Sequence, residues 1–319
     1  MSTDAVDQLV ARALDGDRGA LARVVSIVEQ GGAPARAASA RYHGRAGDAW
    51  VVGITGAPGA GKSTLTDRLV TELLVRSGDH DGVRVGVLAI DPTSPFTGGA
   101  ILGDRVRMQE HATDPRVFIR SMATRGHLGG LSASAPQAAR LLDAAGYDWV
   151  IVETVGVGQV EVEIAGHADT TVVVVNPGWG DAVQANKAGL MEIADVFVVN
   201  KADRAGARDA VRELDAMLEL SAARAWRPPI VSTVATAGEG IGELVDALEA
   251  HRAHLTAAGE VAARRRARAA EELTAVTMEL VAQSAQARCT GEQFDALVDA
   301  VAAGTTDPYD AAQQLLAAE

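Results

Sequence analysis

The chain keeps only three lysines, Lys62, Lys187 and Lys201, among 29 lysines and arginines. Where arginine serves every general purpose, a retained lysine marks a place that needs a compact ammonium and not a planar guanidinium. Lys62 closes Gly56-Ala57-Pro58-Gly59-Ala60-Gly61-Lys62-Ser63, a full match to G-x-x-x-x-G-K-[ST]. In such a segment the glycines let successive backbone N–H groups curl around phosphate oxygens. Lys62 would reach the β- and γ-phosphates, and the Ser63 hydroxyl would take Mg²⁺. Ser63 and Thr64 open a helix whose positive dipole end faces the same oxygens.

Lys201 lies in Asn200-Lys201-Ala202-Asp203, an N-K-x-D pattern that ends an apolar run. The Asp203 carboxylate is placed to accept hydrogen bonds from guanine N1–H and the 2-amino group, donors that adenine lacks. A polar match of this kind discriminates by roughly 10⁴–10⁵, because the wrong base leaves a buried carboxylate unpaired. Asn200 orients the loop, and the Lys201 stem covers the base plane. Ser232, Thr233 and Val234 end the next strand and would meet the base from its other side, mainly through backbone; otherwise they form an ordinary strand-to-helix loop. Lys187 belongs to neither motif.

A third element supplies the metal and γ-phosphate shell. Ile151-Val152-Glu153-Thr154-Val155-Gly156 ends an apolar run in the manner of D-x-x-G, with Glu in place of Asp. Glu153 would hold Mg²⁺ directly or through water, and the Gly156 N–H would meet the γ-phosphate. Asp91 and Asp104 are further carboxylates near the same edge. Mg²⁺ takes octahedral oxygen ligands and keeps several waters, so two of these three acids suffice. The glutamine that often follows the D-x-x-G glycine is absent, and Val157 stands there. Gln159 is the nearest group that could orient a water, and Arg107 or Arg125 could face the developing charge. Slow intrinsic hydrolysis, accelerated by a partner, is the expectation. His111, His127 and His167 read as isolated, structural residues.

These motifs need strands to end beside one another. Seven β-branched runs are spaced for that: 50–55, 84–90, 117–121, 149–153, 170–175, 196–200 and 229–232. Several lack alternation, as strands covered on both faces do. Helical patterns intervene at 62–76, 136–145, 205–220 and 241–254. The expected fold is α/β: a P-loop NTPase with a doubly wound, mostly parallel sheet, whose ligands lie at the carboxyl ends of its strands. Residues 1–48 read as a helical extension of two short helices, broken at Gly31-Gly32-Ala33-Pro34, that packs on the nucleotide domain at 49–258. Residues 259–319 read as a helical dimerisation tail. The basic run Arg264-Arg265-Arg266-Ala267-Arg268 within it reads as a solvated helix face.

With 319 residues and 48% hydrophobic content the chain can bury a sizeable core, and its 3% aromatics leave that core to Ala, Val, Leu and Ile. A net charge of −13 argues against a nucleic-acid partner, whose phosphates demand basic surface. Cys289 stands alone, which excludes an internal disulfide. No apolar run approaches the roughly 18 residues that span a bilayer, and the acidic N-terminus shows no leader pattern. A cytoplasmic protein is expected.

Taken together, the phosphate loop, the stretch Asp91-Pro92-Thr93-Ser94-Pro95-Phe96-Thr97-Gly98-Gly99-Ala100-Ile101-Leu102-Gly103-Asp104-Arg105, the segment from Glu153 to Gln159, Asn176-Pro177-Gly178-Trp179-Gly180-Asp181 and Asn200–Asp203 resemble the GTPases associated with methylmalonyl-CoA mutase. That family is a branch of the metallochaperone-related P-loop GTPases. The resemblance covers about residues 50–240. It implies a homodimeric GTPase, binding GTP or GDP with Mg²⁺, that escorts an adenosylcobalamin-dependent mutase. It would gate cobalamin delivery from the adenosyltransferase and help replace damaged cofactor. The segment from Pro177 to Lys187 resembles a switch that transmits nucleotide state to the mutase. Thr93, Thr97 and Trp179 depart from the residues common in the family.

Other readings stand beside this one. A nickel-inserting maturation GTPase would share the core but usually carries Cys-x-x-Cys or a histidine tract. An ATPase or kinase coupled to lysine, arginine or ornithine transport conflicts with the guanine-reading Asp203. A binding module in which hydrolysis is incidental overlaps with the mutase reading, and hydrolysis-dead protein would separate the two.

Overall fold

Strands without polar alternation need cover on both faces, and the seven runs form the middle layer of such a stack. The computed structural model describes all residues except 46, 79–81, 93–108, 112, 125–133, 155–165, 179–186, 221–224 and 318–319. Its strands are β1 (Trp50–Gly56), β2 (Val85–Pro92), β3 (Val117–Thr124), β4 (Trp149–Thr154), β5 (Thr170–Val175), β6 (Val196–Asn200) and β7 (Ile230–Thr233). They lie in the order β3-β2-β4-β1-β5-β6-β7, and every pairing between them is parallel. β1 is central. The chain first builds outward on one side of it and then, from β5, on the other, so the order reverses at β1 and opens a crevice at its carboxyl end.

Period-two alternation divides each strand between the two faces. Val172 and Val174 of β5 enter one core, while Val173 and Val175 enter another. On the first face, α4 (Lys62–Ser77) and α8 (Ile241–Ala257) bury Leu65, Leu69, Leu244 and Leu248 against Trp50, Val52, Ile54 and Trp149. On the second face, α7 (Ala207–Leu220) sets Leu214 against Phe197 and Val199. α5 (Ser134–Ala144) covers Leu88, Val150 and Val152 with Leu141 and Leu142. A short helix, α6 (Lys187–Ile193), begins at Lys187 and precedes β6.

The N-terminal segment holds three helices, not two: α1 (Thr3–Leu14), α2 (Arg18–Gln30) and α3 (Gly32–Tyr42). Gly31 ends α2 with φ of 73° and serves as the N-cap of α3. Pro34 then falls in the first turn, where a missing N–H costs nothing, so the expected break is a junction. Ala35, Ala38 and Tyr42 give α3 its own buried face. Asp17 caps α2 as its spacing suggested, its carboxylate accepting from Ala20 N at 2.9 Å. Val24, Val25 and Val28 share one core with Phe118, Met122 and Leu141, so the extension is part of the domain's packing.

The chain divides into two compact units, residues 1–266 and 267–319. The second comprises the rest of α9 (Glu260–Arg288) with α10 (Glu292–Ala302) and α11 (Pro308–Ala317). There Arg288 donates to Leu316 O at 2.6 Å, and Leu273, Met278, Val281, Val298 and Leu316 are exposed. No helix among the described residues is long and apolar enough to cross a membrane.

Shared packing makes a prediction. Leu21 is fully buried in α2, so Leu21→Ala should lower unfolding stability by about 2–5 kcal/mol in one transition that includes the sheet. Urea denaturation followed by circular dichroism measures this; an unchanged sheet transition would show that the extension folds by itself.

Candidate functional site

The site is built at the carboxyl ends of β1, β4, β6 and β7. β1 runs into Gly56, whose φ is 135° and at which a Cβ would lie 1.9 Å from Val174 O of β5. Only glycine lets the chain turn there, and it launches the loop from Ala57 through Gly61. Pro58 and Gly59 are exposed, while Ala60 is buried. Gly61 is left-handed and caps α4 with no side-chain hydrogen bond, so no side chain competes for the N–H groups of the first turn. Lys62 and Ser63 are buried in that turn, and Thr64 is half-buried.

The Lys62 ammonium donates to Gly56 O at 2.6 Å and Ala57 O at 3.1 Å, closing the loop upon its own cation. The Ser63 hydroxyl donates to Glu153 Oε1 at 2.6 Å, and both residues are buried. Glu153 stands near the end of β4, where it pairs in register with Ile54 of β1. Two hard oxygens thus meet at the head of α4, a donor set that suits Mg²⁺. Among the described residues no group of three His, Cys, Asp or Glu could hold a metal. Mg²⁺ needs few protein ligands because water and phosphate oxygens fill the rest of its shell, which the Ser63 and Glu153 oxygens allow.

Asn200, at the end of β6, joins this loop to the other half of the site. Its amide donates to Ala60 O at 2.8 Å, while its carbonyl accepts from Thr233 Oγ1 at 3.1 Å and from Ala235 N at 3.2 Å. Lys201 has a left-handed backbone, φ 61°, and its ammonium donates to Gly59 O at 2.6 Å. Ala202 N bonds Thr233 O at 3.0 Å, so the loops after β6 and β7 are held together by backbone as well. Val234 N donates to Glu239 O at 3.0 Å, and Ser232 and Asp203 are exposed.

The structure thus gathers residues 56–64, Glu153, Asn200, Lys201, Asp203 and 232–234 at neighbouring strand ends. Asp104, Arg107, Arg125, Val157, Gly156 and Gln159 lie outside the described residues, as does His127. Asp91 belongs to β2 and Lys187 to α6, but their side chains also lie outside them. His111 is not isolated: its Nε2 lies 3.1 Å from Thr71 Oγ1 and 3.5 Å from Asp67 Oδ1 on α4. Burial raises the Asp67 carboxyl above its ordinary value, and His111 and Arg68 offset only part of that. Sequence reasoning assigned 232–234 to backbone contacts and missed that the Thr233 side chain is spent on Asn200. The signal was a polar residue closing an apolar strand.

Comparison with known proteins bears on this arrangement. The family model described as Methylmalonyl Co-A mutase-associated GTPase MeaB matches residues 21–290. A putative GTPase of Pyrococcus abyssi is 49% identical over 315 residues, covering 98% of this chain and 96% of its own length. The mouse protein named methylmalonic aciduria type A homolog, mitochondrial, is 39% identical over 222 residues, 67% of this chain and 52% of its own. Among solved structures, one described as an LAO/AO transport system kinase superposes with a TM-score of 0.71 at 29% identity, covering 99% of this chain and 97% of its own.

The three hydrogen bonds of Asn200 are buried, and removing the side chain strands their partners. Asn200→Ala should therefore cost about 2–4 kcal/mol of unfolding free energy, read by chemical denaturation; a loss within the error of the measurement would mean that the two loops are held some other way.

Proposed function

The chain belongs to the methylmalonyl-CoA mutase-associated GTPase family and is a P-loop GTPase, and from that premise we propose that it is a GTP-driven, Mg²⁺-dependent, cytoplasmic chaperone of an adenosylcobalamin-dependent methylmalonyl-CoA mutase. The observation that carries the reading is the family match over residues 21–290, which spans the whole nucleotide site and its flanking helices. The name of the mouse relative, which refers to methylmalonic aciduria, points to the same chemistry. The cobalamin adenosyltransferase is the second partner in this reading.

The residues divide the work as their positions allow. The N–H groups of the loop and of the first turn of α4 bind phosphate oxygens, and Lys62 exchanges two neutral carbonyl acceptors for charged ones, a stronger pairing. Ser63 and Glu153 would hold Mg²⁺, which supplies neutralisation of the charge shared by the β- and γ-phosphates. Asp203 reads the guanine edge, Asn200 fixes the distance between base loop and phosphate loop, and Ser232, Thr233 and Val234 border the base. Gly156 meets the γ-phosphate, Gln159 orients the water, Arg107 or Arg125 faces the transferred group, and Asp91 or Asp104 supports the metal. Residues 259–319 form the homodimer contact, supported by the exposed Leu273, Met278 and Val281.

The structural neighbour named as a transport system kinase favours a second reading, a kinase or ATPase coupled to amino-acid transport. The Asn200-Lys201-Ala202-Asp203 loop at the end of β6 opposes it, since an ATP site has no use for a guanine-reading carboxylate.

Nucleotide titration separates the two. The chaperone reading expects a GTP-over-ATP preference of roughly 10⁴, most of it lost in Asp203→Ala; equal affinity for ATP would favour the kinase. Lys62→Ala should abolish turnover, and hydrolysis at the unaltered rate would remove the phosphate loop from the mechanism. Purified methylmalonyl-CoA mutase should raise GTP turnover well above the free rate, and a flat response would direct the search to other acyl-CoA mutases.

A further inference from the structure

Two arginines of the basic run at the start of α9, Arg264 and Arg265, are engaged with the domain, while Arg266 is exposed as the composition suggests. The Arg264 guanidinium lies 3.3 Å from Asp195 Oδ1 and 3.5 Å from the carbonyl oxygen of Asp169. Arg265 Nε lies 3.5 Å from Asp169 Oδ1, while its other nitrogens donate to Ala49 O at 2.9 Å and to Gly47 O. The two acids stand immediately before β5 and β6, and each spends its second oxygen on a neighbouring strand: Asp169 Oδ2 accepts from Val51 N and Asp195 Oδ2 from Thr171 N, both at 2.9 Å. The same pattern, Ala-Asp followed by an apolar strand, occurs at 168–169 and 194–195.

A buried histidine braces the arrangement from α8. His251, with no exposed surface, places Nδ1 2.9 Å from Thr170 Oγ1 and Nε2 3.2 Å from Asp195 Oδ1, the latter as a close polar contact outside in-line hydrogen-bond geometry. Trp50 Nε1 donates to Thr170 Oγ1 at 2.9 Å. Thr170 Oγ1 thus stands between the indole N–H of β1 and the imidazole of α8, tying both to the start of β5. Trp226 donates to Asp195 O at 2.8 Å and lays its ring 5.0 Å from that of His251. Burial alone would raise the Asp195 carboxyl, but His251, Arg264 and the Thr171 N–H bring it below its ordinary value.

We propose that Asp169 and Asp195 form a two-carboxylate socket that seats Arg264 and Arg265, registering the first turns of α9 on β5 and β6 so that they respond when nucleotide binds. The strands are the link. β6 begins at this socket and ends in Asn200, while β5 begins here and backs Gly56 with Val174 at its far end. Both are short and buried throughout, the kind of packed element that carries coupling between sites. The inference rests on the nucleotide reading above.

Hydrogen exchange of residues 258–266 with and without GDP and Mg²⁺ tests it. GDP should slow exchange there by about fivefold or more. In the double variant Arg264→Gln, Arg265→Gln that response should vanish while GDP still binds, and Arg264→Lys with Arg265→Lys should restore part of it. Should the glutamine variant fail to fold, Asp195→Asn, which keeps an acceptor for Thr171, serves in its place. GDP binding with no exchange response in the unaltered protein, or a response undiminished in the variants, overturns the socket's role alone. Absence of GDP binding by calorimetry overturns both this inference and the nucleotide reading.

Discussion

A single carboxamide fixes the distance between the loops that follow β1, β6 and β7. Asn200 offers one donor and one acceptor group, and the structure uses the donor on Ala60 of the phosphate loop and the acceptor on Thr233 and Ala235 beyond β7. No other neutral side chain of that length presents both polarities from one rigid plane. Aspartate would set an acceptor against the Ala60 carbonyl, and glutamine would overreach by a methylene. A Cβ on Gly61 would come within 2.4 Å of the Asn200 amide nitrogen, so the loop must carry glycine where the amide passes. The loop after β1 and the segment beyond β7 are tied together because this amide bonds both.

The rest of the fold serves to hold those loops still. β5 and β6 send alternate residues into two separate cores, so a slip by one residue would exchange the side chains packed in each, Phe197 among them. The close approach of Gly56 to Val174 adds a steric stop at the one point where the sheet hands the chain to the loop. The helical extension closes the stack over β2, β3 and β4 and shares their core.

How much of this was legible follows from the range of each interaction. The strands were readable because burial on both faces leaves unbroken valine and isoleucine, and the observed ends differ from the expected ones by at most three residues, at Thr124. That Gly56–Ser63 and Asn200–Asp203 follow strand ends was readable because each is one contiguous segment behind an apolar run. The third N-terminal helix was hidden by Gly31 and Pro34, which punctuate a helix start as readily as they end one. The side-chain roles of Thr233, His251, Asp169 and Asp195 were not readable, because each acts on a residue brought near only by the sheet: Asn200 is 33 positions from Thr233, and Arg264 is 69 from Asp195. The basic run misled for the same reason, its partners being acids that look, in sequence, like ordinary strand caps.

The tryptophans carry one more consequence. Trp50 and Trp149 lie beneath the Arg252 guanidinium, at 5.2 and 5.8 Å, and Trp226 rests against His251 and His254. All three therefore crowd the amino ends of the strands, remote from the phosphate loop. Emission from these three is, in effect, a built-in lamp aimed at the far side of the sheet, and Trp179 is the fourth source in the chain. In a Trp179→Phe protein, a colour or brightness change on adding nucleotide would be light from that far side alone.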